Sequence, residues 1–255
     1  MDLQLQGARV IVTAGAGGIG RAIVDAFLAE GAQVTTCDID QAALDSLPKT
    51  VKAQRVDVSD HAALAAFIDQ AADRMGGIDC LVNNAGIAGP TGRIEDLDVT
   101  EIERCLSVCL TSQFITTGRA VPHLRASANP SIVNISSLAG RLGFRLRSPY
   151  AAAKWGVIGL TKSMAAELGP DRIRVNAVLP GLVAGDRQRR VLEARAASRG
   201  IAFEQAETEA FSYTSIRDYV TPQQIADQIL FLASPRGRTI SGQAISVCGD
   251  TGMLG

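Results

Sequence analysis

A chain of 255 residues that is 47% hydrophobic and 20% charged can bury a large core, and one α/β domain over 1–255 is the simplest expectation. A formal charge of -1 without a long basic run argues against a phosphate-neutralising surface, so nucleic acid is not an expected partner. Five scattered cysteines with no C-x-x-C spacing suggest neither a disulfide framework nor a thiolate metal site, and no apolar run reaches the ~18 residues that span a bilayer. A cytoplasmic protein without metal or membrane partner is expected.

The first strand is read at 8–13, ARVIVT, and it ends in Thr13-Ala14-Gly15-Ala16-Gly17-Gly18-Ile19-Gly20 before a helix over 18–30. Glycines there let backbone approach a pyrophosphate held at the helix N-terminus. A second strand at 33–37 leads to Asp38, 18 residues past Gly20, where a carboxylate can accept both hydroxyls of an adenosine ribose and disfavours a 2′-phosphate. Asp38 can equally cap the next helix. No Arg or Lys lies between Thr13 and Gly20, so NAD is expected over NADP.

Further strands are read at 53–58, 78–82, 131–136, 172–178 and 243–247, with helices at 60–75, 99–124, 148–168 and 221–233. Continuous apolar strands alternating with helices predict a Rossmann-like, doubly wound parallel sheet of about seven strands, with ligands at the carboxyl ends of the strands. The polar, Arg-rich stretch 182–215 after Pro180-Gly181 reads as a helical excursion from the sheet.

Tyr150 and Lys154 share one helix face a single turn apart. A cation close to a phenol favours the phenolate, which suits a general acid/base. Ser137 ends the fifth strand, at the edge where its hydroxyl can hold a substrate oxygen, and Asn83-Asn84-Ala85-Gly86 ends the fourth strand at that edge.

TAGAGGIG, Asp57-Val58, NNAG, NISSLAG with Ser137 thirteen residues before Tyr150, YAAAK and VNAVLPG occur in one order, in which the chain resembles the short-chain dehydrogenase/reductase family. The resemblance implies an NAD-dependent oxidoreductase that moves a hydride between a secondary alcohol or ketone and the nicotinamide. It implies that Gly15, Gly18, Ile19 and Gly20 meet the pyrophosphate, Asp38 the ribose, Asp57 and Val58 the adenine, Asn84 the cofactor channel, and Val183 the carboxamide. Ser137, Tyr150 and Lys154 are the implied catalytic residues, with Tyr150 and Lys154 also at the cofactor, and a homodimer or homotetramer through the two long central helices is implied.

Three positions depart from the family pattern: Ala14 stands for a glycine, Cys109 for an Asn that fixes a relay water, and Gly185 for a Thr at the nicotinamide amide. Arginines flank the substrate side at 141, 145, 147, 187, 189 and 190, and Arg's planar fork suits carboxylate, sulfonate or phosphate. Arg147 and Arg187 are the candidates for binding a hydroxy or sugar-like substrate that carries such an anionic group. An NADPH-dependent carbonyl or ketoacyl reductase, and a nucleotide sensor without turnover, are the alternatives.

Overall fold

The computed structural model describes residues 1–253, apart from the side chains of Arg187 and Ser198. Seven strands form one parallel sheet in the order β3-β2-β1-β4-β5-β6-β7: β1 Arg9–Thr13, β2 Gln33–Asp38, β3 Lys52–Arg55, β4 Cys80–Asn83, β5 Ser131–Ile135, β6 Arg174–Pro180 and β7 Ala244–Val247. The helices are α1 Gly18–Ala29, α2 Gln41–Asp45, α3 His61–Met75, α4 Val99–Leu106, α5 Ser112–Leu124, α6 Ser148–Leu168, α7 Asp186–Arg199, α8 Phe203–Phe211 and α9 Pro222–Ala233.

The two-residue period of a strand builds the two faces. Val10 and Val12 join a core with Ile23, Val24 and Phe27 of α1 and Ile225 and Ile229 of α9. Ile11 between them joins the opposite core, with Leu64, Phe67 and Ile68 of α3 and Ala120 and Leu124 of α5. Helices on both faces explain why the buried strands carry apolar side chains at successive positions.

Two arginines lock this frame. Arg9 on β1 donates from Nε and Nη2 to Asp79 at 2.9 and 2.7 Å, which ties β1 to the start of β4. Arg174, 5% exposed, donates to Leu232 O, to Ala233 O at 3.1 Å and to Gly237 O at 3.3 Å. Burial pulls its pKa down, and the α9 carbonyls that no intrahelical donor reaches, at the negative end of that helix, compensate the charge.

Local differences from the expected elements have physical reasons. The strand expected at 53–58 is Lys52–Arg55, an exposed edge strand, and Val56 instead turns into the core. The short α2, capped by the Asp40 side chain on Ala43 N, is too brief to carry a readable period. The expected helix 99–124 runs as α4 and α5 joined by a π-helical turn at Ser107–Thr111. Ser112 Oγ donates to Val108 O and Gln113 Nε2 to Cys109 O, so side chains take carbonyls in the widened turn. The excursion is α7 and α8, tied by Arg199 to Glu209.

Candidate active site

The loop after β1 sits at the N-terminus of α1, with Gly17 in the N-cap position. A Cβ added at Gly20 would lie 2.0 Å from Ala14 O and 2.6 Å from Asn84 Nδ2, so only glycine lets the helix start this close to the turn. Around Gly17 and Gly18 an added Cβ would meet nothing within 4 Å. That open cradle of backbone at a helix N-terminus fits a pyrophosphate.

Ala14 has φ 53, the left-handed region where a glycine is at ease. Asn84 explains how it is held: its Nδ2 donates to Thr13 O at 3.1 Å and to Ala14 O at 2.9 Å, while Thr13 Oγ1 accepts from the amides of Asn84 and Ala85. The strain of ~1–2 kcal/mol for an L-residue there exceeds the 0.4–1 kcal/mol or so that alanine returns by restricting the unfolded chain. Ala14→Gly is therefore expected to stabilise the protein by about 1 kcal/mol, read from urea unfolding midpoints. A loss of stability would mean that packing of the Ala14 methyl outweighs the backbone strain.

Asp38 ends β2, and its Oδ2 accepts from Ala16 N at 3.1 Å, which places the carboxylate against the glycine turn. Its Oδ1 also accepts from Asp40 N, so Asp38 shapes the following turn, while the cap of α2 itself is Asp40. Arg55, missed in the sequence, lies beside Asp38 in the β2–β3 register and donates from Nε to Ile39 O. Only that register brings it there. Asp57 turns onto Ser59, whose hydroxyl and amide hold the carboxyl below the usual carboxylate range, and Val58 is buried in the core.

Tyr150 is the third residue of α6 and Lys154 follows one turn later, as the spacing requires. Lys154 is 3% exposed; its Nζ donates to Ile135 O at 2.8 Å and stands 5.7 Å from the centre of the Tyr150 ring. Ser136 Oγ donates to Lys154 O and pulls α6 onto the end of β5. Ser137 begins the turn 138–140 next to it, its Oγ accepting from Ala139 N at 3.2 Å. The end of β5 thus brings Ser137 and Lys154 to one edge.

Cys109 lies in the π-helical turn, where its Sγ accepts from Ile87 N and donates to Ile87 O, both at 3.4 Å. It packs with Cys105, Ala153 and Tyr150. A hydrogen bond with Cys109, together with burial, pushes the Cys105 thiol well up, which keeps it protonated and unreactive. All five cysteines are free thiols.

Val183 pairs with Val220 in a one-residue parallel bridge after β6. Gly185 opens α7 at φ 138, a conformation that a β-branched threonine could not take without strain, so this glycine serves the turn. Arg141 donates to Ser246 Oγ and Ala244 O, Arg189 to Glu193, and Arg147 points into the protein. Arg187 belongs to α7, but its side chain lies outside the described residues.

A glycine cradle at a helix N-terminus, an Asp held against it at the end of the next strand, and a Tyr–Lys pair at the same sheet edge define a dinucleotide-binding α/β oxidoreductase. The family model for short chain dehydrogenases matches residues 8–196, and the chain belongs to that family. It is an oxidoreductase of hydroxy or keto substrates that uses a nicotinamide cofactor.

A trans-4-hydroxycyclohexanecarboxylate dehydrogenase from Sinomonas cyclohexanicum is 35% identical over 94% of this chain and 90% of its own length. The ligand-free aldohexose dehydrogenase of Thermoplasma acidophilum superposes with a TM-score of 0.89 at 33% identity, over 98% of this chain and 95% of that one. A variant of the actinorhodin polyketide ketoreductase with NADPH superposes with a TM-score of 0.91 at 29% identity, over 96% and 97%. No helix among the described residues is long and apolar enough to cross a membrane.

Proposed function

We propose that the protein is a single-domain, NAD-dependent dehydrogenase of a secondary alcohol that carries an anionic group, with Tyr150, Lys154 and Ser137 as its catalytic residues. The observation that carries the reading is the meeting of the glycine cradle, Asp38, Ser137, Tyr150 and Lys154 along the carboxyl ends of β1, β2 and β5. Bound NAD supplies the hydride acceptor. Gly15, Gly18 and Ile19 hold its pyrophosphate, Asp38 and the Asp57-Val58 turn its adenosine half, and Asn84, Val183 and Lys154 its nicotinamide half.

Ser137 Oγ donates to the substrate oxygen and fixes it beside Tyr150. The Tyr150 oxygen takes the hydroxyl proton as the carbonyl forms, and returns it in the reverse direction. The buried Lys154 ammonium steadies the negative charge that the phenol oxygen carries before it takes that proton.

The anionic substrate rests on the arginines after Pro180-Gly181 and on the ring hydroxycarboxylate in the name of the Sinomonas relative. Of the two arginine candidates, Arg187 is the receptor we favour, for the reason given below. Exposed Phe114 on α5 and Trp155 on α6, at 49% and 51%, support pairing of two copies through these helices into a dimer or tetramer. Five free cysteines suit a reducing compartment such as the cytoplasm.

One observation favours a second reading, an NADPH-dependent ketoreductase: Arg55 stands beside Asp38, where it could meet a 2′-phosphate, and the ketoreductase neighbour holds NADPH.

Absorbance at 340 nm, with NAD or NADP and paired neutral and acidic ring alcohols, tests both readings. NADH formation at least about tenfold more efficient than NADPH formation, and an acidic-over-neutral preference that Arg187→Ala removes, are expected. A preference for NADP would install the second reading. Silence in both directions despite measurable NAD binding would leave a nucleotide sensor.

A further inference from the structure

We propose that Arg147 is a positioning residue that clamps the loop after β4 onto the ring of Tyr150, and is not a receptor for substrate charge. The inference rests on Tyr150 being the proton-exchanging residue.

Arg147 is the N-cap residue of α6 and is only 8% exposed. A desolvated cation at the positive end of a helix is electrostatically unfavourable, so specific contacts must hold it there. Its guanidinium carbon stands 5.1 Å from the centre of the Phe144 ring and 5.1 Å from that of Tyr150. Cation–π attraction of this kind strengthens when the pair is shielded from water. From the same group Nη2 donates to Ala88 O at 2.5 Å, across 59 residues of chain.

A second bond makes the contact a clamp. Gly92 N donates to Leu146 O at 2.9 Å, so residues 146 and 147 grip both ends of the segment 88–92. Leu146 is held at φ 62, an uncommon conformation for a leucine, which shows that the grip constrains this turn. Between the two bonds the loop runs close to the tyrosine: a Cβ at Gly89 would lie 2.5 Å from Cys105 Sγ and 3.9 Å from Tyr150 Cβ. Just before it, Ile87 is bonded to Cys109 and packs in the Tyr150 cluster.

The ring of Tyr150 therefore has the Arg147 guanidinium stacked on it and the loop packed about its base, while Lys154 stands 5.7 Å from its centre. Burial and the bond to Ala88 O place the Arg147 guanidinium poorly to receive a substrate anion. A positioned proton donor loses rate steeply when its aim is loosened, whereas substrate affinity depends on it little.

The test compares Arg147→Met, which keeps volume without charge, with Arg147→Lys, which keeps charge without the planar fork. Two readouts are taken on the full-length protein: amide deuterium exchange along the chain without added ligand, and kcat and KM for a neutral and an acidic alcohol. For Arg147→Met, exchange in 85–92 is expected to rise at least about tenfold while α1 and α9 stay protected. Its kcat should fall at least about tenfold by the same factor for both alcohols, with KM within about threefold, and Arg147→Lys should recover part of the loss.

A rise in KM confined to the acidic alcohol, with kcat kept, would make Arg147 a charge receptor and overturn the proposal. So would unchanged exchange in 85–92. Exchange that rises throughout the chain in both variants would mark a stability residue, which also overturns it. If the unaltered protein turns over neither alcohol, the dehydrogenase reading fails, and the exchange data still decide the clamp.

Discussion

Tyr150→Phe should lower kcat by about three orders of magnitude and leave NAD binding within about twofold. The expected size follows from general acid/base catalysis, which contributes typically 10²–10⁴-fold. The substitution removes one oxygen and keeps the ring, so the contacts of that ring with Arg147, Cys105, Cys109 and Ala153 survive. Lys154 keeps its bond to Ile135 O, so its proposed contact with the cofactor is not disturbed. The loss should thus fall on kcat and kcat/KM together, as expected of an interaction made at the transition state. Rates of single turnover with saturating NAD, alongside an NAD titration, make the check. A loss under about tenfold would mean that another group exchanges the proton, and the assignment of Tyr150 would be withdrawn.

Asp38→Ala should lower kcat/KM for NAD by about a hundredfold and invert the preference toward NADP. Two hydrogen bonds from ribose hydroxyls to a carboxylate are worth roughly 1.5–3 kcal/mol each, and a hundredfold loss asks for about 2.7 kcal/mol of that sum. Removal of the carboxylate also removes its repulsion of a 2′-phosphate, and Arg55, next to it in the register, becomes an available partner. Part of the loss will be indirect, because Asp38 Oδ2 also anchors Ala16 N in the glycine turn. Asp38→Asn separates the two effects: it keeps an acceptor for Ala16 N and loses the charge. Equal efficiency with NAD in Asp38→Asn and the parent would show that the carboxylate does not read the ribose.

Much of the fold and of the candidate site is legible in the chain because the signals are local. The strand ends, the glycine turn and Asp38 follow from apolar runs broken by glycine and acidic residues, and the sheet reproduces them within a few positions. Tyr150 and Lys154 share a helix face because four residues make one turn, a relation that needs no tertiary information.

What the sequence alone decided, then, is the kind of fold, the strand ends with their glycine turn, and the Tyr–Lys pair on one helix face. Tertiary structure decided the partners. Asn84 holds the strained carbonyl of Ala14 from 70 residues away, Arg55 reaches Asp38 only through the parallel register of β2 and β3, and Cys109 finds Ile87 through a π-helical turn with no spacing signature. Arg147 reads in the sequence like its neighbours Arg141 and Arg145, yet it alone of the three is buried, against Ala88 O and the Tyr150 ring. The physical reason is common to all four: helix and strand periods specify which face a residue occupies, whereas the group it meets there depends on how distant segments are laid side by side.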